Sequence, residues 1–313
     1  MSLSERYAEH LDQVDEAIRA ELAEWPWDTV GRLGELVAGQ LAMPGDRLRP
    51  ITALYFAEFY GARYYRSGLD RVVAPAASVE FCHRASLVLD NLHGISAVHT
   101  AAAIRSLAAH PIHRSPLLDA HEKLALHQEF DQATTWLEFG RSIEDGWHEQ
   151  WYPSYLDFPY ERMLSWKAGS LFGCAAAIGA VIAGAADSTL DEARARGVAI
   201  GALHQLADDY LDGFGGGGAP ASNEDFRAGK LSGPVVFLLR ALHAAGRERA
   251  ADSVLRRLAD GDAAQGDIGW LLALMRTCSV EETMRRELVA RAAVLAGDGL
   301  EEMVSLVLAG ISL

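Results

Sequence analysis

The sequence predicts an all-α fold, a single helical domain spanning residues 1–313, and three observations predict it. Apolar residues recur at three- and four-residue spacing along nearly the whole chain, the signature of amphipathic helices. Period-two runs of β-branched residues, which half-buried strands require, are scarce. Pro and Gly punctuate the periodic segments: MPGD at Met43 to Asp46, HPIHRSP at His110 to Pro116, and the run from Gly215 to Pro220. Strands alternating with helices are absent, and neither a fixed repeat nor a linker-like shift in composition divides the chain.

The elements follow in order. The N-terminal stretch MSLSERYAEHLDQVDEA is polar and amphipathic, with no apolar signal-peptide core. Helices are predicted over Asp28 to Leu41, Arg49 to Tyr60, Val72 to Leu92, Asp119 to Ser142, Tyr160 to Ala186, Leu190 to Leu211 and Pro234 to Ala245. Two or three more fit between Arg247 and the C-terminus. The most apolar run, Leu171 to Ala186, is short and rich in Gly and Ala, which reads as a helix crowded on all sides and not as a membrane span. The glycines Gly215 to Gly218 have no strand before them and no Lys-Ser/Thr after them, so they read as a flexible connection at a cavity mouth and not as a phosphate loop.

Half of the 313 residues are hydrophobic, enough for a sizeable core. Lys and Arg number 28 against 43 Asp and Glu, a formal charge of −15, which argues against nucleic acid as a partner. A small phosphorylated ligand needs only a few local cations or a bridging metal and stays open. Cys82, Cys174 and Cys278 are far apart and sit among apolar neighbours, as buried free thiols of a reducing, cytoplasmic compartment do.

The segment HQLADDYLD, His204 to Asp212, places Asp208, Asp209 and Asp212 on one helix with Gln205 a turn earlier. Like charges one turn apart weaken a helix by a few tenths of a kcal/mol per pair. Either water solvates this face or a cation does, and clustered carboxylates on an otherwise apolar helix suit Mg2+ with phosphate oxygens in its remaining positions. In VEFCHRASLVLDNLHG a second polar sector joins Glu80, His83 and Asp90; His83 alone fits a satisfied core histidine equally well. Seven of the eleven histidines fall between His93 and His148, without the spacing of a known metal motif. The aromatics of GWHEQWYPSYLDFPY, among them Trp147, Trp151, Tyr152 and Tyr155, fit either a hydrocarbon pocket or loop packing.

Five blocks in order make the sequence resemble the trans-isoprenyl diphosphate synthases, or polyprenyl synthetases. DRLRP at Asp46 to Pro50 resembles the GGKRLRP block, and VEFCHRASLVLDN resembles the helix ending in the first aspartate-rich motif. YERMLSWKAGSLF, GALHQLADDYLD and DFRAGKLSGP resemble the Y-x6-K block, the second aspartate-rich motif and the D-x4-K-x-T-x-P block. The resemblance implies a helical bundle around a deep central cavity. It also implies Mg2+ held by Asp208, Asp209, Asp212 and Asp90, and an allylic isoprenyl diphosphate gripped by Lys167 and Lys230 with Gln205 beside them. Arg47, Arg49 and His83 are assigned by it to binding the second substrate, isopentenyl diphosphate or another acceptor. It further implies a homodimer, or a heteromer with an active synthase.

The departures concentrate on chemistry. Asp90-Asn91-Leu92-His93-Gly94 keeps one carboxylate where the family has three; Asp46 stands in place of a lysine; GRSIE, Gly140 to Glu144, stands in place of GQxxD. These changes predict weakened metal binding on the first motif and an acceptor other than isopentenyl diphosphate. A terpene cyclase-like enzyme and a catalytically weak regulatory subunit remain as alternatives.

Overall fold

A computed structural model describes residues 2–61, 68–92, 94–148, 152, 154–259 and 265–311. Among these residues there is no strand, only one isolated bridge between Gly216 and Ala219. The all-α expectation is met. The helices run in order as α1 (Leu3–Arg6), α2 (Ala8–Ala23), α3 (Arg32–Ala42), α4 (Leu48–Phe59), α5 (Asp70–Asn91), α6 (Ile95–Leu107) and α7 (Ala109–Arg114). They continue as α8 (Ala120–His148), α9 (Tyr160–Met163), α10 (Gly169–Ile182), α11 (Asp187–Phe214) and α12 (Glu224–Arg227). The last five are α13 (Gly233–Ala244), α14 (Glu248–Ala259), α15 (Gln265–Thr277), α16 (Val280–Gly297) and α17 (Glu301–Val307).

Two differences from the sequence reading, and one agreement in spite of a proline, have physical causes. The predicted helix from Tyr160 to Ala186 is broken: a π turn over Leu164–Ala168 separates α9 from α10, an irregularity that periodicity cannot register. Pro75 lies inside α5 and withdraws the amide that would bond the Arg71 carbonyl, yet the helix runs on to Asn91. Helix α6, ISAVHTAAAIRSL, has too many alanines for its apolar face to stand out, although Ala97, Thr100, Ala101, Ile104 and Leu107 are buried at helical spacing.

The helices fall into two compact units, Met1–Trp136 with Gly169–Val198, and Leu137–Ala168 with Ala199–Leu313. In the first, α10 is buried at every position but Val181 and packs against α4 and α5. The crowded helix inferred from Leu171 to Ala186 is therefore found as far as Ile182; the last four residues are outside it and not buried. Cys82 and Cys174 are buried beside it; Cys278, expected to be buried as well, is only half-buried where α15 meets α16. Two stretches, Asp70–Asn91 and Tyr160–Ile182, have the length and apolarity of a membrane span, but 72% and 78% of their apolar windows are buried within the protein, as in core helices.

In the second unit α13 packs on α16, joining Val235, Leu238, Leu239 and Leu242 to Met284 and Leu288. Each such side chain contributes roughly 1.5–3 kcal/mol on burial. This layer positions the N-terminus of α13 against α11, where the site is built.

Candidate functional site

Gln205, Asp208, Asp209 and Asp212 occupy a sector about 100° wide on α11, and the structure divides it. Asp209 is turned inward, 3% exposed. One of its oxygens accepts from Gln205 Nε2 at 2.8 Å; the other accepts from Tyr160 Oη at 2.9 Å and from the Gly233 amide at 2.7 Å. Gly233 is required here: a Cβ at that position would lie 2.8 Å from Tyr160 Oη and 3.1 Å from Asp209 Oδ2. Asp209 thus ties α9, α11 and α13 together. Burial, foremost, and then the charge of Asp225 push its carboxyl up to about 6, against the pull of its three donors.

Asp208 and Asp212 face the other way, onto an open groove of about 400 Å³ lined also by Leu211, Gly215, Gly216 and Gly310. Asp208 is about half exposed and lies 3.4 Å from His204 Nε2. Asp212 accepts from the Ser222 hydroxyl and from the amides of Glu224, at 2.9 Å, and Asp225, at 3.3 Å, so it opens α12. The glycine loop beside it is pinned and not a free connection: Gly216 and Ala219 exchange both backbone bonds, at 3.2 and 2.8 Å. Among the described residues no three His, Cys, Asp or Glu side chains converge as a metal site would need.

Behind Asp209 lies a cavity of about 40 Å³ lined by Glu144, Met163, Lys167, Gln205, Asp209, Asp225, Lys230, Leu231 and Ser232. Lys167 stands in the π turn, and Gly140 of α8 comes so close that a Cβ there would lie 2.2 Å from the Lys167 amide nitrogen. Lys167 Nζ pairs with Glu144, one turn further along α8. Lys230 Nζ pairs with Asp225 at 3.1 Å across the turn that closes α12. Burial pushes Glu144 up, but Lys167, helped by Lys230 and Arg141, outweighs it and holds the carboxyl below its usual range. Asp225 goes the other way: burial, with Asp212 and Glu144, raises it in spite of Lys230. Two cations and three carboxylates thus share one small, water-poor space.

The sequence-predicted residues Lys167, Lys230 and Gln205 are therefore brought to one cavity, whereas Asp208 and Asp212 line the groove. The residues assigned to the second substrate lie in the first unit. Arg47, in a left-handed conformation with φ 52°, bonds Asp15 at 2.7 Å and Glu80 at 2.6 Å. Glu80 also accepts from Arg84 at 3.0 Å, so Arg47 belongs to a buried ion-pair network and not to an open binding surface. Arg49 stacks its guanidinium 4.8 Å over the Phe172 ring, and His83 and Asp90 are half-buried on α5. His93 and Trp151 lie outside the described residues. Of the aromatics that remain, Trp147 and Tyr152 pack edge-on against Phe158 at 6.3 and 5.5 Å, the loop-packing reading.

The polyprenyl synthetase profile matches residues 91–268, more than half of the chain. The chain belongs to the polyprenyl synthetase family. The match begins at Asn91, beyond DRLRP and most of the Asp90 helix, so it takes in three of the five blocks. Geranylfarnesyl diphosphate synthase of Aeropyrum pernix is 27% identical over 243 residues, 70% of this chain and 73% of that protein. The mitochondrial geranylgeranyl pyrophosphate synthase 6 of Arabidopsis thaliana is 26% identical over 67% of this chain and 69% of that one. Among solved structures, the Caulobacter crescentus polyprenyl synthase complexed with calcium and isoprenyl diphosphate superposes with a TM-score of 0.78 at 21% identity, over 99% of this chain and 97% of that one. Geranylgeranyl pyrophosphate synthetase of Pyrococcus horikoshii gives 0.78 at 18%, over 99% and 98%. Those two likenesses establish the polyprenyl synthetase fold.

Three polar residues of the cavity, Glu144, Asp225 and Ser232, had no role there in the sequence reading, and neither did Tyr160, which bonds Asp209. Tyr160, Asp225 and Ser232 stand inside the blocks YERMLSWKAGSLF and DFRAGKLSGP, and Glu144 closes GRSIE. Spacing that brings Lys167 and Lys230 to a site brings these along with them.

Proposed function

We propose that this polyprenyl synthetase is a prenyltransferase that binds an allylic isoprenyl diphosphate with Mg2+ and passes its prenyl group to an acceptor. The observation that carries the reading is the convergence of Lys167, Lys230 and Gln205 on one buried cavity. Breaking the allylic C–O bond leaves both electrons on the diphosphate oxygen. Preorganised ammonium groups in a site from which water is excluded oppose that growing charge without reorganising. The acceptor's electron pair then forms the bond to the allylic carbon.

Mg2+ uses one or two carboxylates and fills its remaining positions with water and phosphate oxygens. Asp208 and Asp212, which line the open groove, are placed to meet that demand; Asp209, 3% exposed and turned inward, is not. Bound there, the metal would neutralise the leaving group's charge. The acceptor is isopentenyl diphosphate or a less charged molecule, and two observations favour the second. Asp46 stands exposed where a lysine would greet a diphosphate, and Arg47 is committed to Asp15 and Glu80.

One observation supports a second reading, a weak subunit working with an active synthase: α5 ends at Asn91, so Asp90 is the last carboxylate this helix presents. Purified protein offered geranyl, farnesyl and geranylgeranyl diphosphates with Mg2+ and a range of acceptors separates the two. Release of diphosphate with formation of a prenylated product supports the enzyme. No release, with an intact synthase co-purifying from the source cells, supports the subunit.

A further inference from the structure

Ser232 occupies the N-cap position of α13, with φ −72° and ψ 170°, where a serine hydroxyl ordinarily accepts from the second or third helical amide. It makes no such bond. Pro234 has no amide to offer at the second position, and the Gly233 amide at the first is taken by Asp209. Ser232 is buried at 6% exposure, its hydroxyl oxygen is buried without a hydrogen-bond partner, and the residue lines the cavity that holds Lys167 and Lys230.

A buried hydroxyl without a partner destabilises the fold. A residue that would be more stable as alanine, at a position where serine normally earns its place as a cap, points to a ligand. The cavity of about 40 Å³ has room for about three water-sized groups. That is the space of the three terminal oxygens of a single phosphoryl group, and Lys167 and Lys230, each now paired with a carboxylate, stand on its wall as further donors.

We infer that Ser232 is a substrate-binding residue whose hydroxyl donates to a terminal phosphoryl oxygen of the leaving diphosphate, in the cavity it shares with Lys167 and Lys230. Asp209 is the positioning residue behind it. By holding the Gly233 amide, the carboxylate fixes the first turn of α13, from which Ser232 lines the cavity. The inference rests on the proposed function and goes beyond it, because it assigns to the serine a contact with the leaving group and to Asp209 a role that is not metal binding.

The test compares wild type with Ser232→Ala and Ser232→Thr, using inorganic pyrophosphate with Mg2+ as the probe, and Mg2+ alone as the control. Without ligand, Ser232→Ala is expected to melt at the wild-type temperature or above it. In calorimetric titration it should bind pyrophosphate about tenfold more weakly, the size of one hydrogen bond to a charged group, while Ser232→Thr stays near wild type. Mg2+ alone should bind all three proteins alike. A lower melting temperature for Ser232→Ala with unchanged pyrophosphate affinity would show the hydroxyl to be a helix cap and overturn the inference. So would an equal loss with Mg2+ alone. Wild type that takes up no pyrophosphate at all would instead overturn the proposed function, and this inference with it.

Discussion

Two clusters of charge in this protein look alike in sequence and differ in kind. Around Glu80, in the first unit, two arginines and two acids close on one another: Arg47 bonds Asp15 and Glu80, and Arg84 bonds Glu80, whose side chain is 3% exposed. Around Lys167 and Lys230, in the second unit, the ion pairs with Glu144 and Asp225 line a cavity, beside a hydroxyl without a partner. In the first cluster the ion pairs close on one another. In the second they leave a space. Both come from blocks that resemble the family's motifs, so a motif match by itself does not tell a structural ion pair from one waiting for a substrate. Satisfaction of hydrogen bonds and the presence of a void do.

The sharpest way to break this comparison is to remove Glu80. Glu80→Ala would leave Arg47 and Arg84 in a low-dielectric interior without their shared carboxylate, a loss of about 3–5 kcal/mol of stability by analogy with other broken buried pairs. Denaturant unfolding checks it. A loss below 1 kcal/mol would place the network at the solvent-relaxed surface and undo the contrast.

Next in size is a pH effect at Asp209. Its carboxyl is pushed up to about 6 by burial and by Asp225, so the folded protein holds this proton more tightly than the unfolded chain does. The stability contributed is full below the ordinary carboxylate range and is lost as the pH rises through about 6, a change of roughly 3 kcal/mol for a shift of about two units. Unfolding free energies from pH 4 to 7, in chelator, should show that decline in wild type and a flatter profile in Asp209→Asn. Parallel profiles would contradict the assignment of Asp209 as a buried tie.

A smaller effect is expected at the approach of α8 to the π turn. The Cβ of Gly140→Ala would fall 2.2 Å from the Lys167 amide nitrogen, and overpacking of that kind costs about 1–3 kcal/mol. Because the displaced residue carries a proposed substrate contact, activity should fall by more than stability alone accounts for. Wild-type turnover and melting temperature in this variant would mean that the π turn has room the structure does not show.

The all-α fold and most helix positions were legible because a 3.6-residue apolar period survives in nearly every segment. It fails where that period is uninformative, as in alanine-rich α6, or where the backbone departs from it, as at the π turn holding Lys167. The site was legible in part. Lys167, Lys230 and Gln205 follow from the spacing of their blocks and do meet. The DDxxD spacing suggested a single set of three aspartates, but Asp209 sits about 100° around the helix from Asp208, far enough to face Tyr160 and Gly233 while Asp208 and Asp212 face the groove. Arg47 was read as a substrate contact because sequence does not reveal Asp15 and Glu80 as its partners from 32 and 33 residues away. Ser232 escaped notice because its meaning lies in a bond that is missing.

The central claim is that the cavity shared by Lys167 and Lys230 receives the diphosphate of an allylic substrate. The most direct test is the rate of diphosphate release from an allylic isoprenyl diphosphate by wild type and by Lys167→Gln, with melting temperature measured alongside. The account predicts a loss of about a hundred- to a thousandfold in rate, the size seen when a charge-stabilising donor is removed, measured where both proteins are folded, because loss of the Glu144 pair lowers the melting temperature as well. A Lys167→Gln protein that releases diphosphate as fast as wild type would contradict it.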